Sequence, residues 1–310
     1  MTKVLVTGST GYVGSNLLAR WTAAQPAIRF VGLARSLRKA EALGTPGVRF
    51  AEGDLTRPDT VSAALDGVGA VVHLAAAIQP RTTADFIGIN VEGTRHVVAR
   101  AAEAGVRRIV YISSHDVNHV PLTAYADSKR RAEEIVRSSG LEFVILRPTV
   151  IYGGHGRTPL TALEWAVRHL PCVPVLDDGT HRLQPLHVDD LTGVIIQALS
   201  PARRSATYEI GGPEEFSQVA LVRAMHEFLR KGWPSVPVRI PVSLLTTLLG
   251  PLAASGRVRA LRERLDVLGR DKLANNDSLL RDYDVAFTRL ADGLARTDRR
   301  PREPADHAAR

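Results

Sequence analysis

The chain has 310 residues, and its hydrophobic fraction of 45% is ordinary for a globular protein and excludes wholesale disorder. The single cysteine, Cys172, excludes an intrachain disulfide framework and suits a reducing, cytoplasmic location. The formal net charge is +8, but the arginines are scattered among acidic residues without forming a basic stripe. We therefore expect a solvated basic surface and no nucleic-acid partner.

Short β-rich runs alternate with amphipathic helical stretches from the first residues onward, and an apolar strand in place of a charged leader predicts no signal peptide. Consecutive β-rich runs are joined through helical stretches that are long enough to cross over the sheet. This predicts a doubly wound α/β fold with a parallel, Rossmann-type sheet. The predicted strands are residues 4–7, 29–33, 48–52, 70–74, 108–113 and 143–147, and the clearest predicted helices are residues 84–105 and 124–139.

Three glycines follow the first predicted strand and open a helical pattern, in the stretch "VTGSTGYVGSNLL" (residues 6–18). Such a turn offers backbone N–H groups and the positive end of a helix dipole to a pyrophosphate. A tight turn without a ligand is the alternative, and the strand–helix context favours the dinucleotide. The residues that we assign to this site are Gly8, Thr10, Gly11, Tyr12, Val13 and Gly14.

The end of the second predicted strand carries Arg35 and Ser36, followed by Arg38 and Lys39. An NAD-binding fold places an acidic residue at this point, where it holds the ribose. A guanidinium and a hydroxyl suit a 2′-phosphate, so we predict NADP(H) in preference to NAD(H). The alternative is that Arg35 is an ordinary surface residue.

Tyr125 and Lys129 are four residues apart and share one face of a predicted helix. The stretch "YISSHDV" (111–117) ends the preceding predicted strand. In combination with a nucleotide fold, this pair indicates an active site.

At this point the chain resembles the short-chain dehydrogenase/reductase superfamily, in its extended or atypical branch. The later motifs and the apolar segment from residue 240 are similar to the branch that contains the nucleotide-binding accessory subunit of respiratory complex I, with many bacterial reductases and epimerases. The matching pieces, which cover most of residues 4–212, are "TGSTGYVG", "GDL" (53–55), "VVHLAA" (71–76), "ISS" (112–114), "YADSK" (125–129), "LRPTVIYG" (146–153) and "LHVDDL" (186–191).

This resemblance implies a catalytic set of Ser114, Tyr125 and Lys129. Tyr125 would be the general acid/base at the substrate oxygen, and the Lys129 ammonium would lower the phenol's pKa and hold the nicotinamide ribose. Ser114, chosen over Ser113, would hydrogen-bond the carbonyl or alkoxide oxygen.

The resemblance also implies cofactor contacts beyond the glycine loop. Asp54 and Leu55 would lie beside the adenine, and Pro148 beside the nicotinamide. Ala75 and Ala76 would let the backbone pass the cofactor closely.

Other polar residues carry weaker expectations. His115 or Asp116 could serve as an auxiliary acid, as the residues after Ser/Thr do in sugar dehydratases of this family. Their Thr-Asp-Glu pattern is absent here, so dehydration is disfavoured. Asn90 either supports the active-site helix or is surface-exposed.

The remaining histidines lack metal-ligand spacing, so we expect no metal. His155, His181 and His187 are expected as partly exposed loop residues, and Asp189-Asp190 as the cap of a following helix.

The alternation weakens after residue 150, where strands return at 182–188 and 206–212. We predict a dinucleotide-binding domain from residues 1–150 with 183–212, and a substrate-binding lobe from residues 151–182 with 213–296. A tail of residues 297–310 is predicted to be disordered.

The apolar stretch of residues 240–255 is too short to span a membrane, so a buried or interfacial helix is favoured over contact with a membrane surface.

Three functions are consistent with this sequence. The first is an NADPH-dependent oxidoreductase that interconverts a carbonyl and an alcohol on a small molecule, as a monomer or homodimer. The second is an epimerase, for which Arg147, Arg157 and Arg182 could bind a diphosphate. The third is a non-catalytic cofactor-binding structural or sensor protein. The complete Ser114–Tyr125–Lys129 set favours the oxidoreductase, and Trp165 hints at an apolar or aromatic substrate.

Overall fold

The computed structural model describes residues 2–78, 82–156, 158–229, 236–241, 243 and 269–298. Its centre is a seven-stranded sheet in which every neighbouring pair is parallel. The strands are β1 (Thr2–Thr7), β2 (Ile28–Ala34), β3 (Arg49–Glu52), β4 (Ala70–His73), β5 (Arg108–Ile112), β6 (Glu142–Pro148) and β11 (Ala206–Ile210). Their order is β11-β6-β5-β4-β1-β2-β3. The predicted doubly wound fold is confirmed, with strand ends that differ by one or two residues.

Alternate residues of β1 pack against opposite faces of the sheet, which is why its central residues, Val4 to Val6, are all apolar. Val4 and Val6 belong to a hydrophobic cluster that includes Leu17 and Leu191. Leu5 belongs to a second cluster, on the other face. The helices that contribute residues to the first cluster are α1 (Tyr12–Ala24) and α8 (Val188–Ala198), and those that contribute to the second are α3 (Pro58–Ser62), α5 (Gly93–Glu103) and α6 (Ala124–Arg137).

The predicted helix over residues 84–105 is interrupted. It begins as α4 (Thr83–Asp85), widens into a π-helix over Phe86–Glu92, and continues as α5. The π-helix contains Asn90, whose side chain bonds the backbone of Ala77 at both N–H and C=O. Single π turns of this kind are frequent at functional sites.

A second, smaller region packs around a third hydrophobic cluster, which contains Tyr152, Val173 and Met225. Its helices and strands are β7 (Ile151–Tyr152), α7 (Pro159–His169), β8 (Cys172–Leu176), β9 (Arg182–Leu183), β10 (Leu186–His187), β12 (Phe216–Ser217), α9 (Gln218–Leu229) and β13 (Val236–Ile240). The short helix α2 (Leu37–Glu41) follows β2, and two C-terminal helices are α10 (Asp277–Asp282) and α11 (Leu290–Asp298).

The predicted strand over residues 182–188 is two separate two-residue strands, β9 and β10. Pro185 has no N–H to donate to a neighbouring strand, which interrupts the strand at this point. The Gln184 side chain donates to Gly212 O and accepts from Ala274 N. The two pieces therefore pair with different partners, β9 with β12 and β10 with β7.

The domain division predicted above stays a prediction. Residues 299–310 of the predicted tail lie outside the described residues, as does the apolar stretch of residues 240–255 apart from positions 240, 241 and 243. Among the helices that are described, none combines the length and the apolar character needed to cross a membrane.

The glycine turn after β1 gives a test of the packing. We expect Gly14→Ala to lower the free energy of unfolding by roughly 1–3 kcal/mol, because a Cβ there would lie 2.2 Å from the backbone O of Gly8. Gly88→Ala is the matched control, since Gly88 is also helical but has no neighbouring atom within 4 Å of its Cβ position. Urea unfolding of both variants measures the difference; equal stability of the two would contradict the packing.

Candidate active site

The carboxyl ends of β1 and β4 meet where the strand order of the sheet reverses. Gly8 follows β1 with a φ of +67°, and a Cβ there would lie 2.7 Å from the backbone N of Ala75. The same Ala75 N–H donates to Thr7 Oγ1 at 3.3 Å. Open α/β sheets bind ligands in the crevice at such a point. The structure therefore brings Gly8 and Ala75 into contact at this crevice, with Ala76 next in the same loop.

Helix α1 begins at Tyr12, directly after the glycine turn, and has Gly11 as its N-cap without a side-chain capping bond. Gly11 N–H donates to Gly8 O at 2.9 Å, which closes the turn. The first N–H groups of a helix have no acceptor within it, so Tyr12, Val13 and Gly14 present donors at its positive end. The exposed Thr10 and Gly11 leave this end open, and the arrangement fits the pyrophosphate of a dinucleotide.

The Tyr12 side chain has a structural partner. Its hydroxyl donates to Gly153 O at 2.6 Å, and a Cβ on Gly156 would lie 2.9 Å from its ring. Burial, together with the charge of Asp189 and the neighbouring Tyr152, raises the pKa of this phenol. Only the backbone of Tyr12 remains available for an anion.

Arg35 and Asp54 lie near each other at the carboxyl ends of β2 and β3. Arg35 is exposed, and Ser36 is the N-cap of α2. Burial raises the pKa of Asp54, but hydrogen bonds from Thr56 and the charge of Arg35 outweigh it and hold that pKa below its usual value. Leu55 is only 7% exposed and packs in the second hydrophobic cluster.

Ser114 and Tyr125 come together at the carboxyl end of β5. Ser114 follows this strand, and Tyr125 lies in the first turn of α6, which Thr123 caps by accepting Ala126 N–H at 3.2 Å. The Ser114 hydroxyl is near enough to the Tyr125 phenol to lower its pKa. Pro148 ends β6, the neighbouring strand, at the same edge of the sheet.

Burial raises the pKa of the Tyr125 phenol, the charge of Asp116 raises it further, and the Ser114 hydroxyl lowers it. The net direction is opposite to the sequence-based expectation. The reason is that burial penalises the phenolate and that the Lys129 ammonium bonds elsewhere.

Lys129 is 2% exposed, and its Nζ donates to Ile112 O at 2.6 Å. The same Nζ lies 4.2 Å from the centroid of the Tyr111 ring. Burial lowers the pKa of Lys129 to about 7, although the charge of Glu133 opposes the shift. The ammonium is therefore held at the end of β5, and its role toward Tyr125 and a ribose stays a prediction.

Asn90 is 1% exposed, so the alternative of a surface position is wrong. Its Nδ2 donates to Ser128 Oγ at 2.9 Å, and Ser128 Oγ donates to the carbonyl of Tyr125 at 2.7 Å. Its Oδ1 accepts Ala77 N–H at 2.7 Å. One buried amide thus fixes the first turn of α6 relative to the loop after β4.

Comparison with known proteins agrees with this geometry. The profile of the NAD dependent epimerase/dehydratase family matches residues 4–211, which is more than half of the chain. The chain belongs to this family. The resemblance to extended short-chain dehydrogenases/reductases is thereby confirmed.

Two relatives and one solved structure illustrate the similarity. The 4-hydroxy-2-methyl-3-oxo-4-farnesyl-3,4-dihydroquinoline-1-oxide ketoreductase of Stigmatella aurantiaca is 26% identical over 309 residues, 92% of each chain. The mitochondrial NADH dehydrogenase 1 alpha subcomplex subunit 9 of Arabidopsis thaliana is 26% identical over 252 residues, 79% of this chain and 62% of that protein. A double mutant of the dTDP-glucose 4,6-dehydratase DesIV from Streptomyces venezuelae, crystallised with NAD and DAU bound, aligns over 96% of this chain and 95% of its own with a TM-score of 0.74 and 24% identity, which shows the shared fold alone.

His73 is a site residue that the sequence reasoning missed in this member of the epimerase/dehydratase family. It is fully buried, and its ring nitrogens bond Thr7 Oγ1 at 2.6 Å and Thr94 Oγ1 at 3.0 Å. Thr94 Oγ1 donates in turn to Asn90 O at 2.6 Å. Burial and the charge of Lys129 lower the pKa of His73 to about 3, so the ring is neutral. A histidine ending the apolar run "AVVH" was the available signal.

Glu133 is a second missed residue, fully buried on α6. Arg147 bonds it through Nε at 2.8 Å and Nη2 at 2.6 Å, and Arg137 bonds it at 2.6 Å. Arg182 is also paired, with Glu215. Arg147 and Arg182 are thus engaged by carboxylates, and Arg157 lies outside the described residues.

Two minor expectations are corrected. His187 is fully buried, and its side chain caps α8 by accepting Asp189 N–H at 3.2 Å. Asp189 lies in the first turn and pairs with Arg20 at 2.7 Å, and Asp190 binds Thr288. Neither carboxylate is the cap. Trp165 is 57% exposed and stacks on His169, which gives no sign of a ligand contact.

The buried Glu133 predicts acid sensitivity. Burial raises its pKa, but the bonds from Arg147 and Arg137 together with the Arg147 charge hold it below the usual 4.5. A lowered pKa stabilises the fold above pH 4.5, and the contribution is lost as the pH falls below that value. We expect Glu133→Gln to cost roughly 3 kcal/mol at pH 7 and to make the acid-side decline shallower.

Urea unfolding at pH 7, 5, 4 and 3 measures this dependence. Glu134→Gln, the same change at the exposed neighbouring position, should stay within about 0.5 kcal/mol of the wild type. Parallel pH curves for wild type and Glu133→Gln would refute the role of the buried pair.

Proposed function

We propose that this protein is an NADPH-dependent oxidoreductase that interconverts a carbonyl and an alcohol on a small molecule. The observation that carries the proposal is that Ser114, directly after β5, and Tyr125, in the first turn of α6, lie near each other at the carboxyl edge of the sheet. A protein that only binds a dinucleotide has no need of a proton donor at that edge. The similarity to a ketoreductase along nearly the whole chain supports the same reaction class.

In this proposal, Tyr125 donates a proton to the substrate oxygen during reduction and removes it during oxidation. Ser114 donates a hydrogen bond to the same oxygen and stabilises the charge that develops there. The bound nicotinamide supplies or accepts the hydride. The raised Tyr125 pKa in this structure keeps the phenol in its protonated form, the form that a proton donor needs.

The dinucleotide would be held at residues of three neighbouring strand ends. The glycine turn and the start of α1 would bind the pyrophosphate, and Arg35 with Ser36 would bind a 2′-phosphate. Asp54 would lie beside the adenine. Exposure of Arg35 after β2 supports the preference for NADP(H) over NAD(H), since its guanidinium is open to a ligand.

An epimerase that uses its cofactor transiently is the second candidate, favoured by the family match over residues 4–211. The two functions differ in how they hold the dinucleotide. An epimerase keeps it tightly bound through purification, and its release on denaturation can be measured by absorbance. An oxidoreductase exchanges it freely. A small-molecule substrate, a cytoplasmic location and a monomeric or homodimeric state are further expectations of our proposal.

Tyr125→Phe tests the proposed acid. We expect turnover of a panel of carbonyl substrates with NADPH to fall roughly 100-fold or more, with NADPH binding retained, because only the exchangeable proton is lost. Tyr283→Phe is the matched control, since its hydroxyl is buried without a hydrogen-bond partner among the described residues. Undiminished turnover by Tyr125→Phe would remove the phenol from the mechanism.

Arg35→Ala tests the cofactor preference. We expect NADPH affinity, measured by fluorescence titration, to fall about tenfold while NADH affinity is unchanged, because the lost contact is made to the 2′-phosphate. Arg29→Ala removes an exposed arginine near the start of the same strand and should change neither affinity. Tighter binding of NADH than NADPH by the wild type would overturn the preference.

A further inference from the structure

A C-terminal segment, residues 269–276, is fixed across the carboxyl edge of the sheet. Ala274 N–H donates to Gln184 Oε1 at 2.7 Å. Asn276 exchanges two hydrogen bonds with the backbone of Gly211, at 2.9 and 3.0 Å. Gln184 is 6% exposed, so this docking is part of the folded core.

This segment brings one cation to the proposed active site. Lys272 is buried, and its Nζ forms an ion pair with Asp116 Oδ1, a carboxylate that is itself largely buried. The Lys272 backbone is held in register by its N–H, which donates to Arg182 O at 2.8 Å. The ammonium is therefore placed by the fold and not by a mobile side chain alone.

Asp116 is directly joined to the catalytic pair. Its backbone N–H donates to Ser114 Oγ at 3.2 Å, in the short 3₁₀ turn over His115–Asn118. The Asp116 charge acts on the Tyr125 phenol and opposes its ionisation, whereas the Ser114 hydroxyl favours it. An uncompensated carboxylate at this distance would hold the phenol in its protonated form and block the oxidation direction.

The titratable groups that act on this phenol or on the residues beside it come from five parts of the chain. They are Tyr111 on β5, His115 and Asp116 on the 3₁₀ turn with His119 after it, Lys129 on α6 against the Tyr111 ring, Glu209 on β11 beside His115, and Lys272 with Arg270 from the C-terminal segment. Burial lowers the pKa of both histidines, so both are neutral above their usual value of 6.5. Asp116 is the carboxylate that acts on Tyr125, and Lys272 is its ion-pair partner.

We propose that Lys272 is a positioning residue of the active site, which compensates the Asp116 carboxylate and thereby sets how readily the Tyr125 phenol gives up its proton. This inference deepens the proposed function and rests on Tyr125 as the group that exchanges the proton. It also assigns Asp116 a role as one half of an ion pair, in place of the auxiliary acid considered from the sequence.

The experiment titrates the Tyr125 phenol without substrate or cofactor. Protein labelled with ¹³Cζ-tyrosine is followed by NMR from pH 7 up to the highest pH at which the protein stays folded, and the Tyr125 signal is assigned by its loss in Tyr125→Phe. The variants are Lys272→Met, Asp116→Asn and the double substitution. Lys272→Arg keeps the cation, and Arg270→Met removes a cation of the same segment that bonds the carbonyl of Pro121 instead of Asp116.

We expect ionisation to begin at the lowest pH in Asp116→Asn and at the highest in Lys272→Met, with a separation of about one pH unit or more between them. The double variant should lie near the wild type, because both charges are absent. Lys272→Arg and Arg270→Met should leave the titration unchanged. The proposal is overturned if Lys272→Met and Asp116→Asn shift in the same direction, or if no variant shifts the signal.

The pH dependence of turnover supplies a second readout where the wild type reduces a carbonyl substrate. The basic limb should move in the same order as the phenol titration. A wild type that turns over no substrate while the titration order holds would count against the oxidoreductase and not against the Lys272–Asp116 pair. The two failures are therefore distinguishable.

Discussion

The close approach of Gly8 to Ala75 is the constraint on which the site depends. A Cβ on Gly8 would lie 2.7 Å from the Ala75 backbone, so the carboxyl ends of β1 and β4 can meet only without one. That contact sets where the glycine turn, the start of α1 and the loop after β4 lie relative to one another. Two residues further along this loop, the Ala77 N–H donates a hydrogen bond to the Asn90 side chain. That side chain donates to Ser128 Oγ, which donates in turn to the carbonyl of Tyr125. The proposed cofactor crevice and helix α6, which carries Tyr125, are thus parts of one connected framework.

This framework is built from polar groups that the fold has removed from water, and burial governs their protonation. Lys129 and His73 have lowered pKa values, of about 7 and about 3, because burial penalises their charged forms. Tyr125 shifts in the opposite direction for the same reason. Because unpaired buried polar groups are costly, Lys129 and His73 have hydrogen-bond partners, which are Ile112 O for Lys129 and two threonine hydroxyls for His73.

The sheet and the cofactor crevice could be predicted because their signals are local. Apolar runs mark strands buried on both faces, and the glycine spacing of residues 8–14 is read within one turn. The π-helix could not be predicted, because the Asn90–Ala77 bonds that accompany it join positions on separate elements. In the sequence, Glu133 is one of many charges on a polar helix. Its burial is compensated by the ion pair with Arg147 of β6, a residue that does not belong to this helix. The split at Gln184 depends on Ala274, which lies far along the chain.

The same distinction between local and long-range signals applies within the candidate active site. Ser114, Tyr125 and Lys129 lie within sixteen positions of one another, so their grouping follows from one strand, one turn and one helix. The charge that acts on Tyr125 is different in origin, since Asp116 comes from the turn and its partner Lys272 from the C-terminal segment. The Asp116 side chain could act as an acid only in its protonated form, which a neighbouring cation disfavours. Here the ion pair with Lys272 engages Asp116, which disfavours an auxiliary acid at this position and agrees with our proposal that the Tyr125 phenol is the proton donor.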